Sequence, residues 1–311
     1  MNKTAGHINR LKRIEKAAFE IENTSTKLSW QLKHLAKILP SLRKKDFRKG
    51  VQGILNGYLI DYRKANRKIY PNEINVELPI DKKIPFEKNE LSTYMSFVGF
   101  WVAGINFVQK EFGKKAEGDV VLFLSDMAKF YPQAAVIYNS AQTSFERGKP
   151  VGLKFKLLHF IDSSKNASPS LHVEVAAHTF SRITEIIKKH SKEDSGFYEP
   201  IINALFIKAV RILESVLLVK QHVVMDIALG LAALSAGDQT FSQEKALNLV
   251  NAMFKKNTHG IDAQTIAKIR ETIILIYSEA LARIKLKPEV PASAAIIEYL
   301  KNFYRTTSSQ N

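Results

Sequence analysis

Between residues 27 and 43 the apolar positions Leu28, Leu32, Leu35, Leu39 and Leu42 recur at spacings of three and four, while Lys27, Lys33, Lys37 and Arg43 fall largely off that line. A period near 3.6 puts the leucines on one face of an amphipathic helix. Asn23-Thr24-Ser25 offers N-cap chemistry for it, and Pro40 ends or kinks it late. A second helical piece, Phe47 to Lys68, is expected to follow. From Tyr70 to Phe86 the pattern stops: Pro71, Pro79 and Pro85 mark a loop. Helical periodicity then resumes over Leu91 to Phe112, Asp119 to Tyr138, Leu171 to His190, Tyr198 to Val219, His222 to Leu234, Gln243 to Phe254, Ala263 to Ile284 and Pro291 to Phe303. Strand patterning is almost absent.

The pattern therefore predicts an all-α chain in three parts. These are a basic amphipathic helical segment over 1–70, a proline-containing loop over 71–90, and a helical domain over 91–311. The connection from Asn139 to Ser170, with Gly148, Pro150, Gly152 and Pro169, is long for a compact domain, and long ordered loops often carry function. The apolar runs Tyr94 to Val108, Val216 to Val219, His222 to Ala236 and Thr272 to Tyr277 all stop short of the roughly 20 apolar residues a membrane span requires. Met1 to Glu22 is polar and lacks the apolar core of a secretory signal. A cytoplasmic protein, peripheral on a membrane surface if it meets one, is the expectation.

Charge sharpens this picture. The chain of 311 residues carries a net +16, and residues 1–70 hold 17 Lys or Arg against 5 Asp or Glu. A basic segment so concentrated reads either as a solvated lysine-rich face or as a surface for an anionic partner, such as lipid headgroups, nucleic acid or an acidic protein. With no cysteine, disulfides, thiolate metal sites and a cysteine nucleophile are all excluded. Neither a phosphate-binding glycine loop nor a His-Glu-x-x-His string is present.

Two strings carry candidate chemistry: Ser168-Pro169-Ser170-Leu171-His172-Val173 and, about fifty residues on, Ser215-Val216 through Lys220-Gln221-His222 to Asp226. At i and i+4 on a helix, the Asp226 carboxylate can hold the His222 imidazole in one orientation, which is how a histidine nucleophile is positioned. His172 follows Pro169-Ser170 at a helix start, where free amides and the helix dipole favour an anion. Read singly, the first is also a common surface ion pair and the second an ordinary structural N-cap.

Together the strings resemble the second and third motifs of the type 2 phosphatidic acid phosphatase and vanadium haloperoxidase superfamily, Pro-Ser-Gly-His and Ser-Arg-x5-His-x3-Asp. Pro-Ser-Leu-His-Val and Lys-Gln-His are closest in flavour to its inositol phosphoceramide synthase-like subgroup. The resemblance spans roughly Asn139 to Gly230. It implies a helical bundle that works without metal or cofactor. In it His222 attacks phosphorus, Asp226 orients it, His172 protonates the leaving oxygen, and Ser170 with the Leu171 amide binds phosphoryl oxygens. Departures are Val216 where the family has arginine and Leu171 where it has glycine. Lys220 is then the candidate replacement cation. The first motif, Lys-x6-Arg-Pro, has its nearest counterpart in Gln142 to Pro150, with Lys149 in the arginine's place and Arg147 as a rival. His159 and His178 read as ordinary polar positions.

The resemblance thus implies a phosphatase or phosphotransferase acting on a phosphorylated lipid through a phosphohistidine, with residues 1–70 available to an anionic membrane and nucleic acid disfavoured as a partner. Two alternatives stand beside it: a soluble acid phosphatase for small phosphomonoesters, and an inactive member that binds anionic lipid or a partner.

Overall fold

The computed structural model describes residues 2–24, 34–66, 73–147, 152–161, 166–191 and 195–308. The class is all-α. The longer helices are α1 (Asn2–Glu22), α2 (Lys45–Asn56), α3 (Phe97–Phe112), α4 (Glu117–Ser140), α5 (Gly152–Ile161), α6 (Leu171–Ser191), α7 (Glu199–Leu218), α8 (Val224–Gly237), α9 (Gln243–Ala252), α10 (Ala263–Leu286) and α11 (Ala292–Ser308). Among the described residues the β structure is one parallel pair, β1 (Ile74–Asn75) and β2 (Thr143–Ser144), with Ile74 opposite Thr143.

Helix α6 is the axis of the bundle, packed by α3, α4, α7 and α8. It is buried nearly all round, so even Glu174, His178, Thr179, Ser181 and Thr184 on it lie in the core. Helix α8 is apolar on every face, which suits a helix with no solvent side. It packs chiefly on α10 and α6.

The segment before residue 70 is not set apart from this bundle. Ile14, Ala18 and Ile21 of α1 are buried, and α1 packs along α7; Phe47 and Ile54 of α2 are buried against α4. Arg10 and Arg13 pair with Glu111, and Lys44 with Glu117, so part of the basic charge is matched within the protein. A helix over Asn2–Glu22 agrees with the helical segment expected over 1–70, and its buried stripe of isoleucine and alanine is sparse. Of the leucine stripe, Leu28 and Leu32 lie outside the described residues, Leu35 and Leu39 are exposed, and Leu42 is half-buried. The described part of that helix, 34–38, passes at Leu39–Arg43 into a tighter turn containing Pro40. The piece expected over Phe47 to Lys68 runs as α2, then a wider helical turn at Gly57–Tyr62, then Arg63–Asn66.

One helical stretch, Lys88–Ser140, is long and apolar enough by composition to cross a membrane, with a window of mean hydropathy 1.3 of which 67% is buried inside the protein. It includes α3 and α4, which pack on α6 and on each other. The apolar run Tyr94 to Val108 lies within this stretch and is followed by Lys110, Glu111, Lys114 and Lys115.

Candidate active site

Helix α7 stops at Leu218 with its last carbonyls turned back on the chain. The Lys220 N–H bonds the Leu217 carbonyl at 3.0 Å and the Gln221 N–H bonds the Val216 carbonyl at 3.2 Å. With Lys220 left-handed at φ +54, this is the Schellman closure of a helix end, with lysine where glycine is usual. The next turn begins at once: Val223 is the N-cap of α8. His222 thus sits in the tight connection between two helices, two residues before α8, and not on a helix with Asp226 as the periodicity suggested.

Asp226 is the third residue of α8 and reaches back over its own N-terminus. Its Oδ2 accepts the Val223 N–H at 3.0 Å and lies 3.2 Å from His222 Nδ1, while its Oδ1 accepts the Ser168 hydroxyl. Three donors converge on a carboxylate with no solvent exposure. An Nδ1–H facing that carboxylate leaves the lone pair of a neutral imidazole on Nε2. His222 Nε2 is buried and has no protein partner.

His172, second residue of α6, is half-buried, with its ring 5.6 Å from that of His222 between centroids. Tyr94, fully buried, stacks on it at 4.2 Å with its hydroxyl 3.4 Å from Nδ1, and Phe97 meets it edge-on at 4.4 Å. The loop before α6 is fixed from three sides. Ser168 reaches Asp226, the Tyr138 hydroxyl donates to the Pro169 carbonyl at 2.9 Å, and the Ser170 N–H donates to the Asp226 carbonyl at 3.1 Å. Gly230 lets α8 come this close, since a Cβ there would lie 3.0 Å from the Ser170 carbonyl oxygen.

Comparison with family models, with curated proteins and with solved structures returns no match to this chain.

The sequence-derived residues divide on this geometry. His222, Asp226 and His172 come together. Ser170 turns to structure: its N–H is taken up by Asp226 and its hydroxyl accepts the Val173 N–H at 3.5 Å, as an N-cap does. Leu171 opens α6 and its side chain is buried. Arg147 comes to the turn, donating to the Gln221 carbonyl at 3.3 Å. Lys149 lies outside the described residues. Val216, in the family's arginine position, is fully buried in α7. His178 is structural: it bridges Asp238 at 2.8 Å and the Phe123 carbonyl at 3.2 Å deep in the core. Burial alone would raise the Asp238 carboxyl, but bonds from His178 and Thr240 hold it down at about 2.

Lys220 reaches the site by a route regular helix would not allow. Its Nζ donates to the Asp81 carbonyl at 2.7 Å, and burial lowers its pKa despite the nearby Asp81 and Glu77 carboxylates. Lys220 and His222 share the wall of a cavity of about 340 Å³ with Ile84, Phe86, Phe145 and Leu217. A larger cavity of about 550 Å³, between α1 and α3, is lined by Arg13, Lys16, Lys37 and Lys110, away from the histidine pair.

Asp81, Ser168 and Tyr94 are site residues that sequence reading passed over. Asp81 sits in the loop read as a domain boundary, and the available signal was an acid enclosed by Leu-Pro-Ile and Lys-Lys-Ile-Pro. It is buried, with Oδ1 accepting the Val224 N–H and Oδ2 the Leu78 N–H, both at 2.8 Å. Burial, reinforced by nearby Asp226, raises its pKa to about 6, against the pull of the two amides and Lys220.

Proposed function

We propose that this chain is a phosphoryl-transfer enzyme that takes the phosphoryl group from a phosphorylated lipid through a phosphohistidine on His222, within a bundle of the type 2 phosphatidic acid phosphatase kind. The observation that carries this reading is the state of His222. One ring nitrogen is held by Asp226, while the other is buried without a partner beside a second histidine. A buried acceptor with nothing to accept is costly in a purely structural histidine.

In this mechanism Nε2 attacks phosphorus, the phosphorus–oxygen ester bond breaks, and His172 gives its proton to the departing oxygen. Water or an acceptor hydroxyl then attacks the phosphohistidine and gives its proton to His172, and the phosphorus–nitrogen bond breaks to free His222. Asp226 keeps the tautomer and offsets the positive charge on the phosphorylated ring. Lys220 and Arg147 are the cations at hand for the phosphoryl oxygens, with Lys149 a further candidate.

A lipid substrate is supported by the apolar side chains Ile84, Phe86, Phe145, Leu217 and Val223, which share the cavity wall with charged residues. Docking on an anionic membrane is supported by exposed Leu35, Leu39, Leu55, Leu59 and Ile60 among the basic residues of 34–66. One observation favours a second reading, a binding protein without turnover: the Lys220 ammonium is already engaged by the Asp81 carbonyl.

Phosphate release from a soluble aryl phosphate and from phosphatidic acid vesicles decides between them. Wild type should release phosphate and form an acid-labile phosphoenzyme, and His222→Ala should lose both, with turnover down at least about a thousandfold. Equal turnover by the two proteins on a substrate that wild type hydrolyses ends the mechanism.

A further inference from the structure

We infer that Asp81 is a positioning residue of this site, fastening the 78–84 loop to the turn that carries Lys220 and His222. The inference rests on the phosphoryl-transfer reading above. One residue supplies three ties. Its carboxylate accepts the N–H groups of Leu78 and Val224, and its carbonyl accepts the Lys220 ammonium. Two of these reach across about 140 residues of chain to either side of His222.

The placement matters because a helix N-terminus is where a substrate anion would otherwise settle. At α8 two carboxylates of the protein itself take those amides, Asp81 on Val224 and Asp226 on Val223. The substrate anion is thereby left to His222 Nε2 and to Lys220, both on the wall of the cavity that Asp81 also lines. A buried carboxylate at the edge of an anion site repels the ligand. Its compensating role here is to pin the 78–84 loop to α8, and with that loop the Asp81 carbonyl that holds the attracting lysine. Lys220 occupies a backbone conformation unfavourable for a side-chain-bearing residue, so the tie to Asp81 also helps keep that residue in place.

Repulsion and positioning predict opposite signs for Asp81→Asn, which keeps the shape but removes the charge and one acceptor. If Asp81 were a bystander, orthovanadate would bind more tightly to the variant. As a positioning residue it should instead make the variant bind orthovanadate at least about tenfold more weakly, and the His222 imidazole NMR signals, assigned against His222→Gln, should move. Turnover of an aryl phosphate by wild type should fall as pH drops through about 6, where Asp81 takes a proton. That limb should be shallower in the variant's lower profile, since the His222 nucleophile must still be neutral to attack. The groups that share Asp81's surroundings are Lys220, His222 and Asp226 from the turn and α8, Glu77 and Lys82 from its own loop, and Glu146 beyond β2. Lys82→Met, a control on the same wall, should leave the His222 signals in place.

Orthovanadate bound by Asp81→Asn as tightly as by wild type, or more so, overturns the role of Asp81 and leaves the site reading intact. Wild type that neither binds orthovanadate nor turns over any phosphate ester overturns the site reading itself, and the role of Asp81 with it.

Discussion

At the scale of single residues the site depends on how close two backbones come, and Gly230 sets that distance. A methyl group there would meet the Ser170 carbonyl oxygen at 3.0 Å and Val173 Cβ at 3.4 Å, and neither is the loose end of a flexible side chain. Ser170 is further held by its N–H bond to Asp226, so the strain falls on the Ser168–His172 loop. Gly230→Ala should lower unfolding stability by about 1–3 kcal/mol, read as a lower urea midpoint at unchanged slope, and should weaken turnover by moving His172 against His222. An unchanged midpoint would show that the loop gives way freely. The histidine pair and Asp226 were legible in sequence because their types and spacing are local. Ser168 on Asp226 and Asp81 on Val224 were not, because each bond joins residues 58 and 143 positions apart and no local pattern encodes it.

At the scale of elements the deciding feature is the break between α7 and α8. The sequence placed helices on both sides of it within a few residues, since apolar periodicity and the absence of internal prolines are strong signals there. It placed the break at Lys220-Gln221 but started the second helix two residues early, at His222 instead of Val224, because helix ends depend on capping geometry more than on periodicity. The same limit hid α5, whose ten residues lie inside the connection read as a loop. The break makes a specific prediction about Lys220, whose left-handed backbone costs a side-chain-bearing residue about 1–2 kcal/mol. Lys220→Gly relieves that strain but gives the unfolded chain more freedom, so stability should stay level or rise by up to about 1 kcal/mol. Lys220→Met keeps the strain and loses the charge. If the ammonium serves the anion site, both variants lose orthovanadate affinity to a similar degree while their stabilities diverge. Full affinity in either variant would remove Lys220 from the site and leave Arg147 or Lys149 as the cation. Val216→Arg, which would restore the family's motif, places a guanidinium in a fully buried position and should unfold the helix end instead of rescuing binding.

At the scale of the whole molecule, a chain with a net charge of +16 has buried several ionisable groups in its core, and they make its stability depend on pH in an unusual way. Burial raises Asp81 to about 6 and Glu214 to about 7, and Glu174 well above the ordinary value. For a raised carboxyl, the folded protein keeps a proton that the unfolded chain has already released. Stability is therefore greatest below the ordinary value and falls as pH climbs through the folded one, by on the order of 3 kcal/mol for each of the first two. Lys208 runs the other way. Burial, with Arg211 nearby, lowers it to about 7, so between about 7 and 10.5 the unfolded chain holds a proton that the folded protein lacks. Its contribution grows as pH rises through that window. Above neutrality Glu174 goes on lowering stability while Lys208 raises it, so urea midpoints should fall more steeply from pH 5 to 7 than they change from 7 to 9. Glu214→Gln should shrink the fall from 5 to 7, and Lys208→Met should make the midpoint at pH 9 lower relative to that at pH 7 than it is in wild type. A midpoint that peaks at pH 7 in wild type would mean that these groups are solvated, and that α7, which carries both Glu214 and Lys208, is less enclosed by α1 and α9 than its packing indicates.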